Sequence, residues 1–350
     1  MLRLLAASLL IASSAALALA DDDLLTVAEK THFKATATHA DVIALCKKLE
    51  AASKGIVTLT DLGTSTEGRT IPLMIVADPP VKTPEEAKKS GKLVALIIGN
   101  IHAGEVDGKE AIPMLVREII ADPSHPLRKE LILLLAPIYN ADGNEKFAKT
   151  NRPGQIGPEE GMGVRHNGQG LDLNRDFVKL EAPETRGLVQ IINAWDPHLF
   201  MDLHTTNGSH HRYEITYQGP KNPAGDPKVL AYVRDVLMPE AGKALEKKTG
   251  YKSFFYGSST ATSSSGRPMA QRRGSARRTS ASATGCRFCP KPTRMLTSKR
   301  VCSARWNSRV RSWNTRSRTK PRSSRSSTTR SSPSRTTSRS APKPRSRRNP

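Results

Sequence analysis

The sequence predicts an α/β domain over residues 21–257, built on a mixed, mainly parallel central sheet with helices on both faces. Three observations carry that expectation. The runs LVALIIG (93–99) and ELILLLAPIYN (130–140) are short and apolar, the composition of strands buried on both faces. Segments beside them repeat apolar residues at helical spacing. Strands and helices also alternate along the chain, the pattern of a sheet covered on two sides.

The first twenty residues, MLRLLAASLLIASSAALALA, open with Arg3, run through an apolar stretch and end in Ala18-Leu19-Ala20. This is the form of a secretory signal peptide cleaved before Asp21. The mature protein is therefore expected to be exported, periplasmic or extracellular, with no membrane anchor after cleavage. HADVIALCKKLEAAS (39–53) places Val42, Leu45, Cys46 and Leu49 on one helical face. GIVTLTDLG and TIPLMIVAD read as two strands around a turn at Thr66-Glu67-Gly68-Arg69. After LVALIIG, the stretch DGKEAIPMLVREII puts Ile112, Leu115, Val116 and Ile119 on one side of a helix. EAPETRGLVQIINAW reads as a helix and DPHLFMDLHTT as a strand that empties into polar loop residues. HRYEITYQ alternates like a strand, and a long helical pattern covers Pro227 to Lys248.

The formal charge of +23 suggests a nucleic-acid binder until its distribution is read. Residues 258–350 hold 25 Lys or Arg and no Asp or Glu, whereas residues 1–257 carry a net charge of −2. Cysteine divides the same way, with Cys46 alone before the break and Cys286, Cys289 and Cys302 after it. No disulfide framework is indicated, and Cys286-Arg-Phe-Cys289 lacks the second pair that a zinc knuckle needs. Residues 258–350 are Ser/Arg-rich and too poor in apolar side chains to order themselves. They read either as a disordered basic tail or as the product of a shifted reading frame.

Chemistry concentrates in two loops. IIGNIHAGEVDGKEA (97–111) carries His102 and Glu105 away from the carboxyl end of a central strand, the edge at which open α/β sheets bind ligands. Zinc takes imidazole and carboxylate ligands at roughly 2 Å, and catalytic sites keep one position for water. His102 and Glu105 offer two ligands, and His204 at the end of HLFMDLHTT offers a third, with His198, His210 and His211 as rivals. Between them, GVRHNGQGLDLNRDF sets Asn174 beside Arg175 at an expected strand-to-loop junction. A guanidinium suits a bidentate grip on a carboxylate. Arg165 is a further cation, with Arg152 as its rival, and Asp172 is placed to accept the outer ring proton of a liganding histidine. Asp172 also suits a turn.

HAGE with a distant DLH, an R-x-N…DLNR run between them, and LGTSTEGRTIPLMIVAD ahead closely resemble the zinc metallocarboxypeptidases of the carboxypeptidase A/B and D/E kind. The resemblance covers roughly residues 38–257. It implies one zinc ion per chain on His102, Glu105 and His204, with Asn174 and Arg175 holding the C-terminal carboxylate of a peptide. It implies that Arg165 stabilises an oxyanion, that Asp172 buttresses His102, and that a metal-activated water cleaves the C-terminal peptide bond. The partner is then a peptide or protein with a free C-terminus, and no specific nucleic acid is expected.

The family's general-base glutamate, borne late in the domain on a strand, has no counterpart here, since no acid follows Gly257. Read with the last base of each codon joined to the first two of the next, Arg287 to Arg294 permits Ile-Leu-Ser-Glu-Ala-Tyr-Ser-Tyr. Its glutamate falls across Pro290 and Lys291. A frame shift near Ser258 is thus expected, with the end of the domain lost and this exact chain inactive. Two other readings stay open: an amidase or deacylase on another carboxylate-bearing substrate such as cell-wall peptides, and a non-catalytic protein that binds zinc and carboxylates.

Overall fold

The computed structural model describes residues 22–155, 157–206, 212–220, 222, 224–258, 267–268 and 285–288. The signal-peptide segment, His210 and His211 lie outside the described residues, as does most of the chain beyond residue 258.

Helix α1 (His39–Ala52) starts at a capping box: the Thr38 hydroxyl accepts from the Asp41 backbone, and the Asp41 carboxylate accepts from the Thr38 backbone. Strands β1 (Val57–Thr64) and β2 (Thr70–Val76) pair antiparallel. Their turn needs Gly68, whose φ of 83° is strained for any residue with a Cβ. Helix α2 (Pro84–Ser90) leads into β3 (Leu93–Gly99), helix α3 (Asp107–Ala121), β4 (Leu131–Ala136) and the short helix α4 (Ala141–Glu145). Helix α5 (Pro183–Trp195) feeds β5 (Leu199–Thr205), and β6 (Ile215–Gln218) follows. The long helical pattern forms α6 (Pro227–Tyr232) and α7 (Met238–Thr249), joined by a π-turn over Val233–Leu237, before β7 (Ser253–Phe255).

A last strand, β8 (Gly285–Phe288), completes a sheet of order β1-β2-β4-β3-β5-β8-β6-β7 among the described residues. It runs parallel to β5 and antiparallel to β6. These four residues are the part of the stretch beyond residue 268 that the structure describes, and they satisfy backbone N–H and C=O groups of β5 and β6 by pairing with both. At the centre, β4, β3 and β5 are parallel neighbours.

Side chains alternate between the two faces of the sheet. One face buries Leu96, Ile98, Leu134 and Phe200 against Leu188, Ile192 and Trp195 of α5. The other buries Ala95, Leu133 and Leu135 against Ile112, Val116 and Ile119 of α3 and Val42, Cys46 and Leu49 of α1. Both cores are continuous under the carboxyl ends of β3 and β5, so the loops leaving those ends stand on a rigid base. Lys109 adds a polar tie: fully buried, it donates to Ala37 O and, at 2.6 Å, to Asn144 Oδ1. Burial pushes its ammonium down to about 8.

The glycines of the 97–111 stretch set a close contact. A Cβ at Gly99 would meet the Gly108 carbonyl carbon at 2.7 Å, and one at Gly108 would meet Leu203 Cβ at 2.7 Å. The end of β3, the first turn of α3 and β5 therefore pack backbone to backbone. Gly99→Ala is expected to cost about 1–3 kcal/mol, the range for overpacking a tight core. Urea unfolding would show it as a lowered midpoint, and an unchanged midpoint would mean that α3 yields without cost.

Candidate metal centre

β3 and β5 are adjacent and parallel, with Gly99 opposite Leu203, so their carboxyl ends open at the same sheet edge. The chain leaves β3 through Asn100, whose φ of 65° is a left-handed conformation that Asn tolerates better than most residues. Asn100 Nδ2 donates to Ala103 O at 3.0 Å, and Glu105 N donates to His102 O at 2.8 Å, so the loop folds back over the sheet. His204 is the sixth residue of β5 and lies on the same face as Asp202 and Phe200.

These elements bring His102, Glu105 and His204 together, one ligand atom of each lying within 4.8 Å of the others, with all three residues buried. His102 Nδ1 is 2.9 Å from Glu105 Oε1, and His204 Nδ1 is 2.8 Å from Glu105 Oε2. The two rings are 5.0 Å apart, centroid to centroid. Burial works to raise the Glu105 carboxyl, but the two imidazoles outweigh it and hold the group well below the usual carboxylate range. Burial likewise opposes charge on His204, yet Asp202 and Glu105 hold its pKa above the ordinary value.

Each outer ring nitrogen meets a carboxylate. His102 Nε2 is 3.1 Å from Asp172 Oδ1, and His204 Nε2 is 2.6 Å from Asp202 Oδ2. Burial works to raise the Asp172 carboxyl, but His102 and Arg165 hold it low. Asp172 also accepts from Asn174 N at 3.0 Å, so one carboxylate touches both the ring and the turn. Asn174 and Arg175 sit in a 3₁₀ turn, Leu173–Arg175, rather than at the end of a strand. Asp172 caps that turn, and a strand has no use for such a local bond. Asn174 Nδ2 lies 3.1 Å from His204 Nε2, while Arg175 is exposed and donates to Asn174 O at 2.7 Å.

Two arginines reach the same cluster. Arg165 donates to Asp172 Oδ2 from Nε at 3.0 Å and from NH2 at 2.8 Å, with NH1 4.0 Å from Glu105 Oε1. Arg152 donates to Glu105 Oε1 at 2.8 Å. Its loop is held over the site by Gln155, which bonds both Arg152 Nε and Thr206 O. Gly104 lets it in, since a Cβ there would meet Arg152 Cγ at 2.7 Å. His198 stands at the amino end of β5, accepting from Val94 N at 3.1 Å, far along the strand from this edge. Sequence reasoning missed Asp202 and Gln155. Period-two alternation from His204 pointed to the first, and no sequence signal marked the second.

The donor set suits zinc: two imidazoles and one carboxylate is a ligand count of catalytic zinc sites. Among the described residues buried Asp202 Oδ1 also has no hydrogen-bond partner, which leaves negative charge for a cation to balance.

Comparisons with known proteins agree with this geometry. The profile of a family described as zinc carboxypeptidase matches residues 42–294. Carboxypeptidase 2 of Trichophyton tonsurans is 27% identical over 142 residues, which is 40% of this chain and 23% of that protein. Carboxypeptidase 2 of Trichophyton rubrum is 26% identical over a stretch of the same size. The chain thus aligns with about a quarter of these relatives' length. A crystal structure described as a carboxypeptidase A from Shewanella denitrificans OS-217 superposes with a TM-score of 0.50 at 19% identity. It covers 71% of this chain and 59% of that one, a likeness of fold.

Proposed function

The chain belongs to the zinc carboxypeptidase family, and from that membership we propose that it is built as an exported zinc-dependent carboxypeptidase that removes C-terminal residues from peptides. One observation carries the reading. The Leu173–Arg175 turn touches both histidines, through Asp172 on His102 and Asn174 on His204. A carboxylate held by Asn174 and Arg175 then lies beside the cluster, so the bond next to it is a terminal one.

His102, Glu105 and His204 would hold the zinc. When bound, zinc supplies a Lewis acid that polarises a carbonyl and makes water nucleophilic near neutral pH. Arg165, anchored by Asp172 with a third of its side chain exposed, presents a cation where an oxyanion develops. Arg175 offers a planar pair of donors to the substrate carboxylate. Export rests on the signal-like first twenty residues. Among the described residues no helix is long and apolar enough to cross a membrane.

Arg152, a second guanidinium beside Glu105, favours a second reading: an amidase or deacylase whose substrate carries a further anionic group. The test is made on a frame-restored protein. Amidating a peptide's C-terminus is expected to lower kcat/KM about 100-fold or more. Arg175→Ala should lower it similarly, on the scale of about 2–5 kcal/mol for losing one partner of a charge pair that bound substrate covers. Equal cleavage of acid and amide peptides would favour the amidase reading.

A further inference from the structure

The two histidines are backed unequally. The carboxylate behind His102 is shared: Asp172 also accepts from Arg165 at 2.8 and 3.0 Å and from Asn174 N at 3.0 Å, with its side chain 18% exposed. The carboxylate behind His204 is not. Asp202 is 2% exposed, and among the described residues its ion-pair partner is His204 alone, at 2.6 Å. Among the described residues its other oxygen has no hydrogen-bond partner. Burying a carboxylate so incompletely satisfied is costly, and the apolar face of β5 around Phe200 gives it no compensation. A charge retained on such terms is best explained by the ring it holds.

We propose that Asp202 is a positioning residue for His204: it takes the Nε2–H and so turns the Nδ1 lone pair to the point that Glu105 Oε2 marks at 2.8 Å. The inference rests on the zinc reading above. The strand supplies the geometry, because residues two apart on β5 project from one face, so the ligand and its buttress are delivered by the same five or six residues. Asn174 Nδ2 stands 3.1 Å from the same ring nitrogen. That nitrogen cannot both donate to a carboxylate and accept from an amide N–H. The shorter, charge-assisted contact prevails, which fixes the tautomer.

The test uses the full chain, with zinc affinity read by competition against a chromogenic chelator. Asp202→Ala is expected to weaken zinc binding about 10–100-fold, the range for loss of a partner behind a ligand. Asp202→Asn, which keeps an acceptor oxygen but not the charge, should fall between it and the parent. A second readout is nitrogen-15 NMR of the zinc-loaded protein. The His204 Nε2–H proton should lie far downfield and exchange slowly in the parent, then move upfield and exchange faster in both variants, with His102 unmoved. Lower thermal stability with unchanged zinc affinity would overturn the proposal, since Asp202 would then serve the core alone. If neither variant folds, the parent spectrum decides, and a His204 ring protonated at Nδ1 instead overturns it. A parent that takes up no zinc overturns the zinc reading and this role together. Variants that match a zinc-binding parent overturn this role only.

Discussion

Replacing His204 with alanine is expected to abolish stoichiometric zinc binding, and His102→Ala to do the same. The effect should exceed the ~100-fold that losing a partner behind a ligand can cost, because a ligand itself is removed from a set of three. The topology explains why neither loss can be made good. His102 and Glu105 share one loop after β3, and the third donor comes from β5, so without His204 the remaining pair approaches from a single side. Asp202, next along the same face, already stands behind the ring rather than among the ligands. His198→Ala serves as the control, since that ring accepts a backbone bond at the opposite end of β5 and should leave zinc content unchanged. Metal analysis after dialysis decides the matter. Full zinc in both His204→Ala and His102→Ala would remove the cluster from consideration as a metal centre.

Much of this architecture was legible because the sheet's central strands are written as apolar runs too short for helices. LVALIIG and LILLLA read as strands buried on both faces by length and composition, and the ligand loops follow directly from where such strands end. What composition does not carry is pairing. The placement of β4 between β2 and β3 is a matter of contacts distant in sequence. The pairing of β8 with β5 and β6 likewise joins segments distant in sequence. The site divides similarly. His102, Glu105 and His204 announce themselves by residue type at strand ends. The turn at Leu173–Arg175 does not, since a capping Asp two residues before an Asn also fits many loops. Arg152 reaches Glu105 from a loop where its own φ is 54°, a conformation no pattern of side chains signals.

Hydrolysis by this chain as written is expected to run about 10²–10⁴-fold below that of a frame-restored protein, the usual contribution of a positioned general base. The acids that stand near the cluster are already engaged. Asp172 holds His102 and Arg165, Asp202 holds His204, and Asp107 accepts from Thr205. Glu184, buried farther off, accepts from Asn167 at 3.2 Å and from Thr66 N at 3.2 Å. A carboxylate that takes a proton from water must therefore come from elsewhere, and residues 258–350 contain none. The sheet shows where one would enter. β8 runs parallel to β5 with Phe288 opposite Thr205, so its carboxyl end lies at the same sheet edge as His204. The sequence after Phe288 reads Cys289, Pro290 and Lys291, whereas the shifted frame permits a glutamate across the last two. The comparison is kcat/KM on one peptide with a free C-terminus, for both proteins at equal zinc content. Equal rates would place the base upstream, with exposed Glu181 the acid to mutate next. A large gap closed by the restored frame would tie the general base to the segment beyond Gly257 as that frame reads it.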